Sequence, residues 1–465
     1  MHGLLRARVV FLFTIAALLC PPSIRAQSEV ESIRATIETI LEARDHDSHA
    51  WEVISHLTDE IGPRLSGTRQ AELAVSWTTA TLEQWGFPTR NQPILVPQWI
   101  RGVERASLVS HHDHTIVLTA LGDSVATPPE GLTADLVVVR SFDELRSLGR
   151  AVEGKIVLFN SPMSRDLVLA RDGFTAYAAA VRYRGGGASA AAAQGAVAAL
   201  VRSATTESMR TPHTGQLCYA AGHPAIPAAA ITTEDADLLQ RLSERGEPLR
   251  INLVLTPRWD HDVPSANVIA ELRGRDRPEE IVLIGAHLDS WDLGTGAIDN
   301  AAGVTAVMEA VRLLRQLGLT PRRTIRVVLF MNEENGLRGS FYYFFGHRHE
   351  KHVAAIESDA GAGRPLGFFT TLGAEGRGRL NEYLAPLASF GPFELMPRAL
   401  TGADTGILVR NGVIGFGVRQ DPLHYFDHHH APSDTLDKVD PEALRMNAAV
   451  IAALAWTLAE IEDLP

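Results

Sequence analysis

Cysteine is almost absent from this chain of 465 residues, which contains only Cys20 and Cys218. If Cys20 is lost with an N-terminal export signal, the remaining cysteine cannot form an intramolecular disulfide, and the fold must depend on its hydrophobic core. Cys218 lies in the segment Thr-Gly-Gln-Leu-Cys-Tyr, which carries no catalytic motif, so thiolate catalysis is not expected. With so little sulfur, imidazole and carboxylate groups are the metal ligands that this sequence offers.

Basic residues are also scarce relative to acidic ones: Lys and Arg total 43 against 55 Asp and Glu, a net charge of -12. Because affinity for phosphate backbones rests on Lys and Arg, nucleic acid is not an expected partner. Hydrophobic residues make up 45% and charged residues 21%, which excludes a disordered chain and a multi-span membrane protein. At about 150 residues per domain, the length allows two or three domains.

The apolar run at the N-terminus, Val9–Leu19, is too short to span roughly 30 Å of bilayer hydrocarbon as a helix. Two arginines precede this run, and a proline pair and then the small residue Ala26 follow it, a pattern typical of an export signal. We therefore predict a signal peptide over residues 1–26 and a secreted or periplasmic protein with no membrane span in the mature chain. Lipid anchoring at Cys20 is less favoured, because the residue before it is the bulky Leu19.

Changes in composition divide the rest of the chain into three parts. Residues 27–124 begin with apolar residues at helical spacing over Val30–Ala43. Residues 125–250 are expected to form a small separate α+β domain, in which the Ala- and Gly-rich segment Gly185–Leu200 is predicted to be a helix. Residues 251–465 have the clearest pattern, and we expect them to form one larger domain together with the first part.

Short, nearly unbroken apolar runs characterise the last part of the chain. Glu280–Ala286 and Ile325–Met331 are two of them, and predicted helices such as Val304–Leu317 separate them. Continuous rather than alternating apolarity is typical of a strand that is buried on both faces. The sequence therefore predicts an α/β fold with a mostly parallel central sheet and helices on both faces.

Metal-binding side chains follow each of these predicted strands. The first strand runs into His287, and the loop after it carries Asp299. Because open α/β sheets bind ligands at the carboxyl ends of their strands, such side chains can converge. Zinc favours imidazole nitrogen and carboxylate oxygen ligands, and five of them can hold two ions if one carboxylate bridges. The adjacent carboxylates Glu333 and Glu334 would repel each other unless a cation held one of them.

These motifs resemble the co-catalytic zinc exopeptidases. The residues that carry the resemblance are His287-x-Asp289, Gly296-Ala297-x-Asp299-Asn300-x-x-Gly303, Glu333-Glu334-x-Gly336-Leu337-x-Gly339-Ser340, Glu357-Ser358-Asp359 and His430-x-x-x-Asp434-Thr435. The middle domain is similar to protease-associated domains through Gly154-Lys155-Ile156-Val157-Leu158 and Gly195-Ala196-x-Ala198-x-Leu200. The resemblance covers nearly the whole mature chain.

The resemblance implies two zinc ions per chain, bridged by Asp299 and by a water or hydroxide. His430 and Glu334 would hold one ion together with Asp299. The second ion would be held by His287 and Asp359, again with Asp299. Two ions about 3.5–4 Å apart lower the pKa of their water and polarise a scissile carbonyl.

The same resemblance assigns roles to residues beside the metal ligands. Glu333 would be the general base, and Asp289 would orient His287 through a carboxylate–imidazole contact. His429 would donate a hydrogen bond to the developing oxyanion, at a place where related enzymes often have a tyrosine. The roles of Asp404 and His213 stay open.

The resemblance thus implies a hydrolase that cleaves dipeptides or short peptides at a free terminus, in the manner of a dipeptidase or carboxypeptidase. An aminopeptidase of the same superfamily is the alternative. A non-catalytic receptor on this fold is the alternative from another class, although such a protein would be expected to have lost ligands that are all present here. The expected partner is a small peptide substrate, and a homodimer is possible.

Overall fold

The structure, a computed structural model, describes residues 22–207, 209–399 and 401–464. The predicted signal peptide therefore lies outside the described residues, except for its last five, which begin the first helix. Its cleavage stays a prediction. Within the described ranges, no helix combines the length and apolarity needed to cross a membrane.

Helices and strands alternate along most of the chain. The α-helices are α1 Pro22–Ala43, α2 Ala50–Ser55, α3 Arg69–Gln84, α4 Phe142–Leu148, α5 Arg165–Leu169, α6 Gly173–Ala192, α7 Thr233–Glu244, α8 Ala302–Gln316, α9 Arg338–His347, α10 Ala374–Tyr383, α11 Gly406–Arg410, α12 Tyr425–His428 and α13 Pro441–Glu460. The strands are β1 Thr89–Ile100, β2 Glu104–Leu108, β3 His114–Ile116, β4 Leu118–Ala120, β5 Leu132–Val139, β6 Ile156–Phe159, β7 Ala198–Arg202, β8 Ala228–Ile231, β9 Arg250–Leu255, β10 Arg258–Leu272, β11 Arg277–His287, β12 Arg323–Phe330, β13 Lys351–Glu357, β14 Pro365–Thr370, β15 Glu394–Pro397 and β16 Ile414–Gln420.

The first of two sheets has eight strands in the order β1-β10-β12-β11-β13-β16-β14-β15. Its centre, β12-β11-β13-β16, is parallel, as predicted. Its edges are not, because β10 runs antiparallel to β12 and β14 runs antiparallel to β16. The fold is therefore α/β with a mixed sheet, in which a parallel centre places several strand ends on one edge.

Strand β12 shows why this sheet needs cover on both faces, since all eight of its residues are buried. Val327 and Leu329 belong to the large core that includes α8 and α13. Val328 and Phe330 point the other way and pack with Tyr343 of α9 in a smaller core. Because side chains alternate between the two faces of a strand, an unbroken apolar run places apolar groups in both layers.

The second sheet, in the order β3-β2-β9-β5-β6-β7-β8-β4, is formed by residues 104–255, named here the second-sheet unit. This unit is inserted between β1 and β10, which are paired neighbours in the first sheet. It begins upstream of the predicted boundary at residue 125, because β2, β3 and β4 belong to it.

The predicted helix over Gly185–Leu200 is wrong in its second half. Helix α6 ends at Ala192, and Ala198–Arg202 is strand β7, which pairs with β6 and β8. Gly195 separates the two elements with a φ of +86°, a conformation that glycine adopts at low cost and that ends the helix. The helix propensity of alanine is overridden here because β7 is buried in the middle of a sheet.

Candidate metal centre

The five predicted metal ligands come together at the carboxyl edge of the first sheet. His287 is the last residue of β11, Glu334 follows β12, and Asp359 follows β13. Since these three strands are parallel neighbours, their ends lie side by side. Asp299 lies in the segment Ala297–Ala301 just before α8, at a kink where its own backbone is not helical, and His430 follows the short helix α12.

Asp299 lies between the two imidazoles. Its Oδ1 is 3.2 Å from His287 Nε2, which is also 3.2 Å from Asp359 Oδ1. Its Oδ2 is 3.2 Å from His430 Nε2, which is also 3.0 Å from Glu334 Oε2. One carboxylate thus presents one oxygen to each of two ligand groups. This is the arrangement expected of a residue that bridges two cations.

Carboxylates are crowded in this buried site, and their protonation reflects that crowding. Burial raises the pKa of Glu334 to about 7. Burial opposes the charge on His430, but the adjacent Glu334 and Asp299 raise the pKa of that imidazole to about 9. Glu334 Oε1 is buried and has no hydrogen-bond partner among the described residues. A buried, unpartnered carboxylate oxygen beside imidazole nitrogens fits zinc, which accepts both donor types.

Asp289 acts differently from the prediction. His287 Nδ1 lies 3.0 Å from the backbone oxygen of Asp289 and 3.8 Å from its carboxylate Oδ1. The carboxylate instead accepts the backbone N–H groups of Asn332 at 2.9 Å, Glu333 at 3.1 Å and Glu334 at 3.3 Å. Asp289 therefore orients His287 through its carbonyl, and its side chain fixes the loop that presents the two glutamates.

His429 packs directly against the ligand cluster. Its Nε2 is 3.3 Å from Asp299 Oδ2, and its ring stacks on that of His430 with the centroids 3.6 Å apart. Burial and the adjacent His430 lower the pKa of His429 well below 6.5, so its imidazole is neutral and keeps one N–H donor. The donor atoms of Asp299, His429 and His430 lie within 4.8 Å of one another, so His429 is also close enough to reach a metal. Its predicted role as an oxyanion donor stays a prediction.

Two residues that hold the backbone around Asp299 have roles that the sequence did not predict. The Asp434 carboxylate accepts the backbone N–H groups of Ile298 at 2.7 Å and Asp299 at 3.2 Å. Arg64 is fully buried and donates to the backbone oxygens of Leu288, Thr295 and Gly296 at 2.7, 2.7 and 2.8 Å. Asp434 lies in one of the motifs quoted above, but nothing in the spacing of either residue indicates these contacts.

Asp404, whose role the sequence left open, is a buried acid behind the ligand cluster. Its carboxylate oxygens have no hydrogen-bond partner among the described residues. Burial and the adjacent Glu357 raise the pKa of Asp404 well above its ordinary value. Glu357 itself accepts the backbone N–H groups of Ala403, Asp404 and Thr405 at 2.8, 3.2 and 2.7 Å.

A cleft of about 360 Å³ opens above the ligands, and both units contribute to its walls. The second-sheet unit supplies Phe174, Tyr177, Arg184 and Gln216. The part of the chain that forms the first sheet and its helices supplies Glu333, Leu337, Tyr425 and Phe426 beside the ligands. Arg184 Nη1 donates to the backbone oxygen of Thr214 at 3.1 Å, and its Nε is buried without a partner. Within residues 22–207, 209–399 and 401–464, Arg184 forms no ion pair with a carboxylate.

Comparisons with known proteins agree with this geometry. Residues 267–455 match the model of peptidase family M28. Carboxypeptidase Q from Bos taurus is 37% identical over 420 residues, which cover 90% of this chain and 86% of the bovine protein. The crystal structure of a peptidase M28 precursor from Shewanella amazonensis has a TM-score of 0.89 and 39% identity, covering 94% of this chain and 99% of that one. A zinc aminopeptidase from Bacillus subtilis shares the fold, with a TM-score of 0.63 and 20% identity over 89% of this chain and 95% of its own.

Proposed function

Because the chain belongs to peptidase family M28 and is a zinc-dependent exopeptidase, we propose that it uses two zinc ions to hydrolyse dipeptides or short peptides at their free carboxyl end. The observation that carries this proposal is Arg184, which forms no ion pair with a carboxylate among the described residues and lines a cleft of about 360 Å³ beside the ligand cluster. A cleft of this size accepts a short peptide better than an extended chain.

The proposed zinc sites share the bridging carboxylate Asp299. His430 and Glu334 would complete one site, and His287 and Asp359 the other. Two zinc ions bound there would supply an activated water and polarise the scissile carbonyl. The orphaned Glu334 Oε1 and the two oxygens that Asp299 presents to different imidazoles support this assignment.

Glu333 is the proposed general base. Its side chain lines the cleft, and its backbone is held by Asp289, so the carboxylate faces the space that substrate and water would occupy. Among the described residues, the Glu333 carboxylate forms no ion pair that would disfavour its taking up a proton. In this role Glu333 takes a proton from the attacking water and passes it to the leaving amine.

Arg184 is the proposed anchor for the terminal carboxylate of the substrate. A guanidinium presents a planar set of donors that matches a carboxylate, and such charge-assisted bonds are the strong ones. The name carboxypeptidase Q of the bovine relative agrees with this mode. An aminopeptidase would instead need an anchor for an ammonium group. The alternative of a non-catalytic receptor is disfavoured, since all five ligand positions and Glu333 are filled.

The terminus that is recognised can be tested with blocked substrates. We expect hydrolysis of a free dipeptide and of its N-acetyl derivative, and much slower but measurable hydrolysis when the carboxylate is amidated. Arg184→Met should lower kcat/KM for free dipeptides about 10- to 100-fold, since a hydrogen bond to a charged group contributes about 1.5–3 kcal/mol. The amide substrate serves as the control, because Arg184→Met should not change its rate. Cleavage of amidated but not acetylated dipeptides would identify an aminopeptidase instead.

His429 is the proposed oxyanion donor, and its removal has a defined expected cost. His429→Ala should reduce kcat by about 10²–10³-fold, the usual cost of losing one such donor. Zinc content should stay at the wild-type value, because the proposed ligand set does not include His429. Steady-state kinetics and elemental analysis of the same preparation decide the question. A variant with wild-type kcat would make His429 a bystander, and one that loses zinc would make it a ligand.

The second-sheet unit is proposed to be a protease-associated domain that walls one side of the cleft. Phe174, Tyr177 and Arg184 from this unit line the cleft, which supports the idea that it limits substrate length. Secretion or periplasmic export is proposed from the pattern of residues 1–26. A small peptide is the proposed partner, and nucleic acid is not proposed.

A homodimer is also proposed. Helix α9 exposes Phe341, Tyr342 and Phe345, with 42%, 42% and 58% of each residue accessible. The helix lies beside the edge strand β1, where Gln92 donates to the backbone oxygen of Tyr342. Neighbouring exposed aromatic side chains of this kind are typical of protein–protein contact surfaces.

A further inference from the structure

His430 has an unusual backbone conformation for a proposed metal ligand. Its φ is +59°, in the left-handed region that non-glycine residues rarely adopt. Such a conformation persists when the surroundings hold the peptide units on both sides of the residue. A turn hydrogen bond from the N–H of Ala431 to the backbone oxygen of His428, at 3.0 Å, spans His430, and the second-sheet unit adds further contacts to the same peptide units.

Two consecutive residues of the second-sheet unit bind the backbone of the His429–His430 pair. His213 Nδ1 lies 2.7 Å from the backbone oxygen of His429, and the N–H of Thr214 donates to the backbone oxygen of His430 at 2.9 Å. The backbone oxygen of Thr214 lies 3.3 Å from His430 Nδ1, the ring nitrogen that does not face the carboxylates. Residues 213–214 therefore contact the peptide units on both sides of the His430 Cα atom and also the ring of His430.

The histidine at position 213 is explained by this contact. Its side chain is 97% buried (3% exposed), and among the described residues its Nε2 has no partner. Burial lowers the pKa of His213 to about 3, so the ring is neutral and carries its single proton on Nδ1, facing the His429 oxygen. A buried ring nitrogen without a hydrogen-bond partner lowers the stability of the fold. The hydrogen bond from the other ring nitrogen to the backbone oxygen of His429 explains why a histidine stands at this position.

We infer that His213 and Thr214 are positioning residues of the metal centre, through which the second-sheet unit fixes the conformation of His429 and His430. This inference rests on the proposed function, because it requires His430 to bind zinc. It makes the inserted unit part of the catalytic machinery in addition to a wall of the cleft. Partners that orient metal ligands in this way typically change metal affinity or activity about 10- to 100-fold when they are removed.

The test compares three substitutions in the full-length, metal-loaded protein. His213→Leu removes the donor, whereas His213→Asn keeps an N–H donor at the position of Nδ1. Thr127→Val is the matched control, because Thr127 is also buried in the second-sheet unit and its hydrogen bonds go to Leu255. The measurements are kcat on a dipeptide and the visible absorption spectrum of the cobalt-substituted protein, which reports the ligand geometry directly.

We expect His213→Leu to lower kcat about 10- to 100-fold and to shift the cobalt spectrum. His213→Asn should restore both, and Thr127→Val should lower Tm without changing either. A His213→Leu protein with wild-type kcat and spectrum would overturn the inference and leave the proposed function intact. Wild-type protein that binds no cobalt would overturn both. If His213→Leu does not fold, His213→Gln takes its place, because the glutamine amide lies at the position of Nε2 and not of Nδ1. We expect His213→Gln to show the same lower kcat and shifted spectrum. A His213→Gln protein with wild-type kcat and spectrum would overturn the inference.

Discussion

Replacing Glu333 by glutamine is expected to lower kcat by about 10²–10⁴-fold while both zinc ions stay bound. The amide has nearly the same shape as the carboxylate but cannot accept a proton from water. Glu333 lines the cleft, and its backbone position depends on Asp289, so the substitution leaves the loop in place. Steady-state kinetics on a dipeptide and elemental analysis of the same sample measure both parts of the expectation.

Substrate binding provides the control for this prediction. KM should change little, because Arg184 and the aromatic walls proposed to bind substrate are untouched. A Glu333→Gln protein that retains kcat within a few-fold of wild type would remove Glu333 from the mechanism. Loss of zinc from that variant would instead assign Glu333 to the ligands.

The adjacent substitution, Glu334→Gln, should have the opposite signature, with zinc and activity lost together. Glu334 Oε2 lies 3.0 Å from His430 Nε2, and its other oxygen is buried without a partner. A neutral amide cannot replace the charge that holds a cation in this buried site. Since changes in residues behind the ligands already cost about 10- to 100-fold in metal affinity, loss of a ligand should weaken zinc binding by more than about 100-fold.

The two glutamine variants form a matched pair, because the chemical change is identical and the positions are adjacent. After dialysis against buffer without metal, Glu334→Gln should contain less zinc than Glu333→Gln and should unfold at a lower temperature, since metal binding stabilises the folded state. Excess zinc should recover part of the activity of Glu334→Gln and none of that of Glu333→Gln. Equal zinc content in the two proteins would contradict the separate roles proposed for them.

The central sheet and the convergence of the five candidate ligands could be predicted because their signals are local. The apolar runs of β11 and β12 are short and unbroken, as expected of strands buried on both faces. Parallel strands end at a common edge, so His287, Glu334 and Asp359 had to converge if the strands were parallel neighbours. The metal centre was therefore predicted from the position of these residues at the ends of strands.

The parts that the sequence did not predict depend on contacts between distant segments. Asp289 could be named as a partner of His287, but its carboxylate binds a loop more than forty residues away, beyond the reach of any spacing rule. His213 binds the backbone of His429 across the boundary between the two units, so its role needs their relative placement. The antiparallel edges of the first sheet and the start of the second-sheet unit at residue 104 likewise follow from tertiary pairing rather than from local pattern.

The number of zinc ions per chain in fully active, purified protein tests the account most directly. Asp299 presents its two oxygens to His287 and His430, each at 3.2 Å, and this is the basis for two cations sharing one carboxylate. Elemental analysis should therefore find two zinc ions per chain, and a strong chelator should abolish dipeptide hydrolysis until zinc is restored. One zinc ion or none in protein of full activity would contradict the account.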